Sequence, residues 1–151
     1  MDLSAAILHY CKYQERCHSE VRNKLYQLGL NKNEVENHIS QLIETGVLNE
    51  ERFARAFARG KFRMKGWGKE KIKQQLKLRK ISDYCIRKAL TEIGVDDYRD
   101  SLVKLARRKL QDLKGDKNEF SVKGKVYRYL LQKGYGKEEV INVINECMNK
   151  K

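Results

Sequence analysis

The chain has 151 residues with a formal net charge of +13, and 40% of its residues are hydrophobic. This apolar fraction suffices for a packed core, which excludes a wholly disordered chain, and no apolar run approaches the ~18 residues that a transmembrane helix needs. The first residues carry no basic stretch ahead of an apolar core, so we expect no secretory signal. Four scattered cysteines without a Cys-x-x-Cys pair predict reduced thiols rather than a zinc site. Together these features predict a cytoplasmic protein.

The positive charge is concentrated in a short central segment. Residues 1–51 carry a net charge of −3, residues 52–80 carry +11 and residues 81–151 carry +5. The central segment holds twelve basic side chains and a single acid, Glu70. A solvated helical surface does not need such clustering, whereas a polyanionic partner attracts it. The distribution therefore favours binding to a polyanion over a purely structural role.

Helices are predicted along the whole chain, because apolar residues recur three and four positions apart and no segment alternates between apolar and polar residues. There is no proline to interrupt them. Glycines follow four of these runs and suit the left-handed position after a helix end: Gly29, Gly46, Gly94 and Gly134. Capping side chains precede three of the runs: Ser19, Asn49 and Ser82. The predicted fold class is all-α.

One pattern of apolar residues occurs three times. Five apolar residues at relative positions 0, 4, 9, 14 and 18 begin at Val21, at Ile72 and at Val126. A further helix is predicted before each copy, over about Leu3–Glu15, Glu50–Lys65 and Asp97–Lys114. A period near 50 residues indicates tandem three-helix repeats. In the middle copy Lys80 stands where the other two have a glycine, so it must take a left-handed conformation or end its helix differently.

The repeat predicts three units, which comprise residues 1–48, 49–94 and 95–151. Because tandem helical units contact mainly their neighbours, three units of three helices predict an elongated, curved array. The strongly basic middle unit would form the centre of its binding surface. An array with polar ends predicts a monomer.

Three stretches of the chain resemble the RecX family. They are Glu15–Leu25, Gly46–Ala54 and Lys65–Lys69, the last followed by Ile72 and Leu76. The middle unit carries the most specific match, and the third unit is looser. The resemblance implies a non-enzymatic regulator of the recombinase RecA, acting in DNA repair by homologous recombination and in the SOS response. It further implies binding in the groove of the RecA–single-stranded DNA filament, with inhibition of the ATPase, strand-exchange and co-protease activities of RecA.

Thirteen basic residues are candidates for contact with DNA or RecA. Four arginines share one face of the predicted fourth helix: Arg52, Arg55, Arg59 and Arg63. Four lysines form a stripe on the next helix: Lys69, Lys73, Lys77 and Lys80. The third unit adds Arg107, Arg108, Lys123, Lys125 and Arg128. Arginines so closely spaced repel one another unless they are solvated or offset by an anion, so each stripe fits either a solvated face or an anionic partner.

The apolar and aromatic residues of the central segment have their own predictions. On the fourth helix a different face is predicted to lie in the core: Phe53, Ala56, Phe57, Gly60 and Met64. Trp67 lies between two glycines, where it either packs into the turn between helices or stacks on an unpaired base.

Two other functions stay open. A general nucleic-acid-binding helical protein would bind single-stranded DNA or RNA without any dependence on RecA. The predicted DNA partner of the chain is single-stranded DNA, with weak binding to double-stranded DNA. A nuclease would need Asp96, Asp97 and Asp100 to hold a metal ion, but acids at a helix start equally well cap free N–H groups. No G-x-x-x-x-G-K-[ST] loop is present for ATP. We therefore expect no enzymatic activity, no metal and no cofactor.

Overall fold

The computed structural model describes residues 2–149, and within that range the chain consists of nine helices without a strand. The helices are α1 Leu3–Tyr13, α2 His18–Gln27, α3 Lys32–Glu44, α4 Glu50–Lys65, α5 Lys69–Leu78, α6 Asp83–Leu90, α7 Val95–Asp112, α8 Glu119–Lys133 and α9 Lys137–Asn149. The predicted all-α class is confirmed. None of the helices in the described range has the length and apolar character that crossing a membrane requires.

The second helix of each repeat ends in the same backbone motif. After α2 the amide of Leu30 donates to the carbonyl five residues earlier, and the equivalent bond follows α5 and α8. The residue before that amide is left-handed each time, with φ of 94° at Gly29, 61° at Lys80 and 103° at Gly134. Of the two alternatives that the sequence leaves open for Lys80, the structure has the left-handed conformation, at a cost of roughly 1–2 kcal/mol.

Two predicted helix boundaries are wrong. Gly94 has φ of −67° and lies just before α7, so it is not a left-handed helix end. Helix α2 begins after Cys17, which puts Ser19 inside the helix rather than at its cap. At Asn49 and Ser82 the predictions are correct, because each side-chain oxygen accepts a hydrogen bond from the amide three residues later, at 2.9 and 3.2 Å.

The apolar residues of the repeat form a large part of the buried core. Of the fifteen positions of the pattern, all except Leu30 and Leu90 are buried.

On α4 the predicted core face is correct at Phe53, but Ala56, Phe57 and Gly60 are only half-buried, and Met64 is 84% exposed. The fully buried residues of this helix are Ala54 and Ala58, which the prediction left out. Met64 is exposed because Phe62, on the other side of the helix, packs against Tyr98 with ring centroids 6.0 Å apart.

Packing divides the chain into two compact units. Unit 1 comprises the residues up to Phe57 together with Leu76–Ala89, and unit 2 comprises Ala58–Gln75 together with the residues from Leu90 onward. The boundary passes through α4 and α5. Each unit therefore contains one part of both helices.

In unit 1, helices α1–α3 surround one apolar cluster. Its buried members are Ile7, Cys11, Val21, Leu25, Val35, Ile39, Leu42 and Leu48. The start of α4 is fixed to α6, because the Glu50 carboxylate accepts a hydrogen bond from the Ser82 amide at 3.1 Å.

In unit 2, two buried tyrosines hold the turn between α4 and α5. The rings of Tyr98 and Tyr135 are stacked with centroids 5.0 Å apart. The Tyr98 hydroxyl accepts from the Lys69 amide at 3.0 Å, and the Tyr135 hydroxyl donates to the Gly66 carbonyl at 3.1 Å. Burial raises the pKa of both tyrosines, so both hydroxyls keep their protons at neutral pH.

Candidate nucleic-acid interface

The turn between α4 and α5 is attached to the end of α8 by backbone hydrogen bonds. The Gly68 amide donates to the Lys133 carbonyl at 2.7 Å, and the Glu70 amide donates to the Gly134 carbonyl at 2.9 Å. A Cβ atom at Gly68 would clash with the backbone of Gly134 and Tyr135. Glycine at position 68 therefore lets two stretches of backbone approach each other, and this contact fixes the end of α4 beside α8.

The C-terminal end of α4 also receives side chains from α8. The Lys133 ammonium group donates to the Lys65 carbonyl at 3.0 Å. A cation at the negative end of a helix dipole contributes roughly 0.3–1 kcal/mol. This bond holds a charged side chain of α8 against the last turn of α4.

A cationic groove lies beside this junction, lined by the end of α4 and by α7 and α8. Its volume is about 340 Å³, and five of its lining side chains are cationic: Arg63, Lys65, Lys104, Arg108 and Lys133. None of its lining residues in the described range is acidic. We call this feature of unit 2 the basic groove.

The chemistry of the basic groove suits an anionic polymer. Five positive side chains without a carboxylate among them create a local positive potential that attracts counter-ions or phosphates. Arg63 and Arg108 can each form two parallel hydrogen bonds with a phosphate, whereas the lysines act as point charges. The ring of Tyr129 also lines the groove, and the Lys109 ammonium group lies 4.9 Å from the centre of that ring.

The first arginine of the α4 stripe forms an ion pair and hydrogen bonds with residues of unit 1. Arg52 Nε lies 2.5 Å from a carboxylate oxygen of Glu15. Its two terminal nitrogens donate to the carbonyls of Gly46 and Val47 at 3.0 and 2.9 Å. The guanidinium group of Arg52 therefore connects α4 to the two loops that precede α2 and α4.

The next two arginines of the stripe each form an ion pair, whereas Arg63 at the end of α4 does not. Arg55 pairs with Glu51 at 3.2 Å, and Arg59 pairs with Glu92 at 3.4 Å. The Arg63 side chain is exposed, and within residues 2–149 it forms no hydrogen bond or ion pair. The carboxylates of Glu51 and Glu92 thus offset part of the repulsion along the stripe. No carboxylate among residues 2–149 pairs with Arg63, which lines the basic groove.

Three of the four predicted stripe lysines lie on α5, but the prediction is wrong for Lys80, because α5 ends at Leu78 and Lys80 is the left-handed residue of the following turn. The Lys69 ammonium group lies 4.8 Å from the centre of the Tyr98 ring. Lys77 and Lys80 are exposed and Lys73 is half-buried. In the part of the chain that the structure describes, these last three form no ion pair.

The candidates of the third repeat lie on α7 and α8. Arg107 and Arg108 are exposed neighbours on α7, but only Arg108 lines the basic groove. On α8, Lys125 pairs with Asp116 at 3.1 Å, and Arg128 is exposed. The Asn118 amide and the Lys125 ammonium group lower the pKa of Asp116, which keeps that carboxylate charged. Lys123 lines a different, apolar pocket.

The structure brings some of the predicted residues together and separates others. Nine of the thirteen belong to unit 2, and the other four, Arg52, Arg55, Lys77 and Lys80, belong to unit 1. Of the thirteen, Arg63 and Arg108 line the basic groove. Sequence reasoning missed Lys65, Lys104 and Lys133. The places of Lys65 and Lys133 depend on the contact between the Gly68 turn and α8. Lys104 could have been found from its position one helical turn before Arg108.

Two further predicted features are located by the structure. Asp96 and Asp97 lie in the first turn of α7, and no three His, Cys, Asp or Glu side chains of residues 2–149 converge as a metal site. Trp67 is half-buried, with the ammonium groups of Lys61 and Lys71 at 5.1 and 4.7 Å from its ring centre.

The chain matches family models and known proteins over most of its length. The second three-helix domain of RecX matches residues 49–90, and the third three-helix domain of RecX matches residues 96–144. The crystal structure of RecX from Lactobacillus salivarius superposes with a TM-score of 0.84 at 26% identity, covering 96% of this chain and 94% of that one. A second crystal structure, of regulatory protein RecX, has the same fold with a TM-score of 0.85 at 23% identity, covering 95% and 70%.

Curated relatives carry the same family name. Regulatory protein RecX of Clostridium botulinum (strain Eklund 17B) is 30% identical over 131 residues, which cover 86% of this chain but 61% of that protein, so the chain spans about three fifths of such relatives. Regulatory protein RecX of Haemophilus ducreyi is 32% identical over 126 residues, which cover 83% of this chain and 80% of that protein. The resemblance noted in the sequence is therefore confirmed, and the chain belongs to the RecX family.

Proposed function

We propose that this chain is a non-enzymatic regulator of RecA that binds along the groove of the RecA–single-stranded DNA filament. Bound there, it inhibits the ATPase, strand-exchange and co-protease activities of RecA. The family supports the regulatory role, since its curated members are named regulatory proteins. The observation that carries the proposal is the basic groove, in which five cationic side chains meet without an acidic lining residue in the described range.

The thirteen predicted basic residues remain the proposed contacts, but they contribute unequally. The leading ones are exposed or half-buried and form no ion pair within residues 2–149: Arg63, Lys69, Lys73, Lys77, Lys80, Arg107, Arg108, Lys123 and Arg128. Lys65, Lys104 and Lys133 join them in the groove. Arg52 contributes least, because binding DNA would cost it its hydrogen bonds with Glu15 and two carbonyls.

The proposed mechanism is occupation of the filament rather than chemistry. Cations that pair with phosphates, or with acidic RecA side chains, hold the protein along the filament and release counter-ions. A protein held there blocks the second DNA strand. It also favours one conformation of the filament over the others, which opposes the conformational cycle that hydrolysis requires. We propose that the protein acts as a monomer in the cytoplasm.

A general single-stranded nucleic-acid-binding protein is the alternative, because a phosphate groove does not by itself distinguish naked DNA from filament DNA. Such a protein would bind the oligonucleotide equally well with and without RecA. Its affinity would fall with salt by a slope of about −0.7 for each phosphate contacted.

Co-sedimentation separates the two functions. The protein is mixed with RecA assembled on a single-stranded oligonucleotide with a non-hydrolysable ATP analogue, and competed with the same oligonucleotide free in solution. We expect the filament to retain the protein with an affinity higher by about tenfold or more, equivalent to ~1.4 kcal/mol. Equal affinities for filament and free oligonucleotide would contradict the regulator and support the general binder.

A further inference from the structure

A second pocket of unit 2, chemically unlike the basic groove, lies between α8 and α9. It has a volume of about 290 Å³, and its walls include Phe120, Tyr127 and Ile141. Phe120 is 87% exposed and Ile141 is 47% exposed. Packing within unit 2 does not require such exposed apolar side chains, and together at a concave surface they indicate a binding site.

The lining of this pocket matches a nucleobase. Phe120 and Tyr127 are two helical turns apart on the same side of α8, with Gly124 between them. The Arg128 guanidinium group lies 3.5 Å from the place that a Cβ atom of Gly124 would take, so it borders this stretch of the helix. The amide of Asn145 offers both a donor and an acceptor to the polar edge of a base. Lys123 supplies a cation for the neighbouring phosphate.

An apolar protein segment fits this lining less well. Such a segment would use the two rings, but it has no need of the Asn145 amide or of the Lys123 charge. A nucleotide uses a π face, a polar edge and a phosphate together. The described lining residues also include no acid that would repel a phosphate.

The pocket can be reached by a strand that leaves the basic groove. Tyr129 lines the groove and Tyr127 lines the pocket, so the two sites use different faces of α8. At 100° per residue, Lys125 and Arg128 lie on the exposed arc of α8 between those faces. Both side chains are exposed, but Lys125 pairs with Asp116, so a phosphate backbone that crosses this arc meets Arg128 as its cation without an ion pair.

We propose that the pocket formed by Phe120, Tyr127 and Asn145 receives one unpaired base of the single-stranded DNA whose phosphates contact the basic groove. The inference rests on the proposed function, which brings single-stranded DNA to unit 2. It adds a source of selectivity, because a base in a duplex is already stacked and paired and is not available to the pocket.

Abasic oligonucleotides test the pocket, since they keep the phosphates and remove the bases. We compare the affinity of the wild-type protein, Phe120→Ala and Val95→Ala for a thymine oligonucleotide and for its abasic counterpart. Val95→Ala is the matched control, because Val95 is an 81% exposed apolar side chain at the start of α7. We expect wild type and Val95→Ala to prefer the thymine oligonucleotide by about fivefold or more, the lower limit for one stacked base. Phe120→Ala should lose most of that preference while its affinity for the abasic strand stays unchanged.

Three results would overturn the inference. One is a Phe120→Ala variant that keeps the full preference for bases, and another is a variant that weakens binding to both strands equally. A third is unchanged oligonucleotide affinity with weaker binding to the RecA filament, which would assign the pocket to a protein segment.

The ATPase activity of RecA, measured in parallel, separates the pocket from the proposed function. Wild-type protein that prefers bases through Phe120 but leaves hydrolysis unchanged would uphold the pocket and contradict the proposed function. Wild-type protein that inhibits hydrolysis, together with a Phe120→Ala variant that keeps the preference for bases, would uphold the proposed function and contradict the pocket.

Discussion

Individual glycines decide whether the basic groove forms. Gly68 and Gly134 lie where the turn after α4 meets the end of α8, and each lacks the Cβ atom that would clash with the opposing segment. Gly134 is in addition left-handed, with φ of 103°. The groove depends on this contact because it holds Lys65 and Lys133 side by side.

We predict that Gly68→Ala destabilises unit 2 by about 1–3 kcal/mol, the usual cost of forcing extra atoms into a packed site. Gly60→Ala is the matched control, because an added Cβ there meets nothing within 4 Å and alanine favours a helix interior by about 0.5–1 kcal/mol. Urea unfolding followed by the fluorescence of Trp67, which lies next to Gly68 and is the single tryptophan of the chain, measures both. An unchanged midpoint for Gly68→Ala would show that the backbone contact is not needed.

Predictability from sequence differs between residues for physical reasons. The left-handed conformation of Lys80 was predictable as one of two alternatives, because the repeat aligns it with Gly29 and Gly134 and the helix end is a local structure. The partner of Arg52 was not, because Glu15 lies 37 residues away along the chain. Sequence periodicity specifies which face of a helix is buried, but it does not specify which distant carboxylate meets an exposed arginine.

The first turns and the last turn of helix α4 make different contacts. Its first turns are anchored in unit 1 by Asn49, Glu50 and Arg52. Its last turn carries Arg63 and Lys65 into the basic groove of unit 2. The sequence predicted the helix bounds, Glu50–Lys65, because the capping residue Asn49 and the helical spacing of the apolar residues are local signals. It did not predict that Met64 is exposed, since the packing of Phe62 on Tyr98 involves a helix more than thirty residues later.

The charge of the groove is tested by reversing it. We predict that the double variant Arg63→Glu and Arg108→Glu binds single-stranded DNA more weakly, with the salt dependence flattened by about 1.4, which is ~0.7 for each of the two phosphates that the variant no longer binds. Lys12→Glu with Lys32→Glu makes the same change in net charge on exposed residues of α1 and α3 in unit 1. Measurements at several salt concentrations distinguish the pairs, and an equal loss of affinity for both would mean that net charge rather than the groove drives binding.

At the scale of the whole molecule, the sequence repeat and the packing divide the chain at different residues. The repeat predicts units of 1–48, 49–94 and 95–151, and family models match the second and third domains at 49–90 and 96–144. The two compact units instead divide α4 and α5 between them. Local periodicity identifies similar segments along the chain. The compact units depend on contacts between distant segments, such as that between Gly68 and Gly134, and periodicity does not predict these.

The central claim is that the basic groove serves the regulation of RecA, and ATP hydrolysis by RecA on single-stranded DNA tests it most directly. The protein is titrated into the reaction at ratios below one copy per RecA, with and without excess DNA. We predict that the hydrolysis rate already falls at ratios well below one copy of this protein per RecA, and that excess DNA does not restore it. The double variant Arg63→Glu and Arg108→Glu should inhibit less. A rate that stays constant until the protein has coated the DNA, or that excess DNA restores, would contradict the claim.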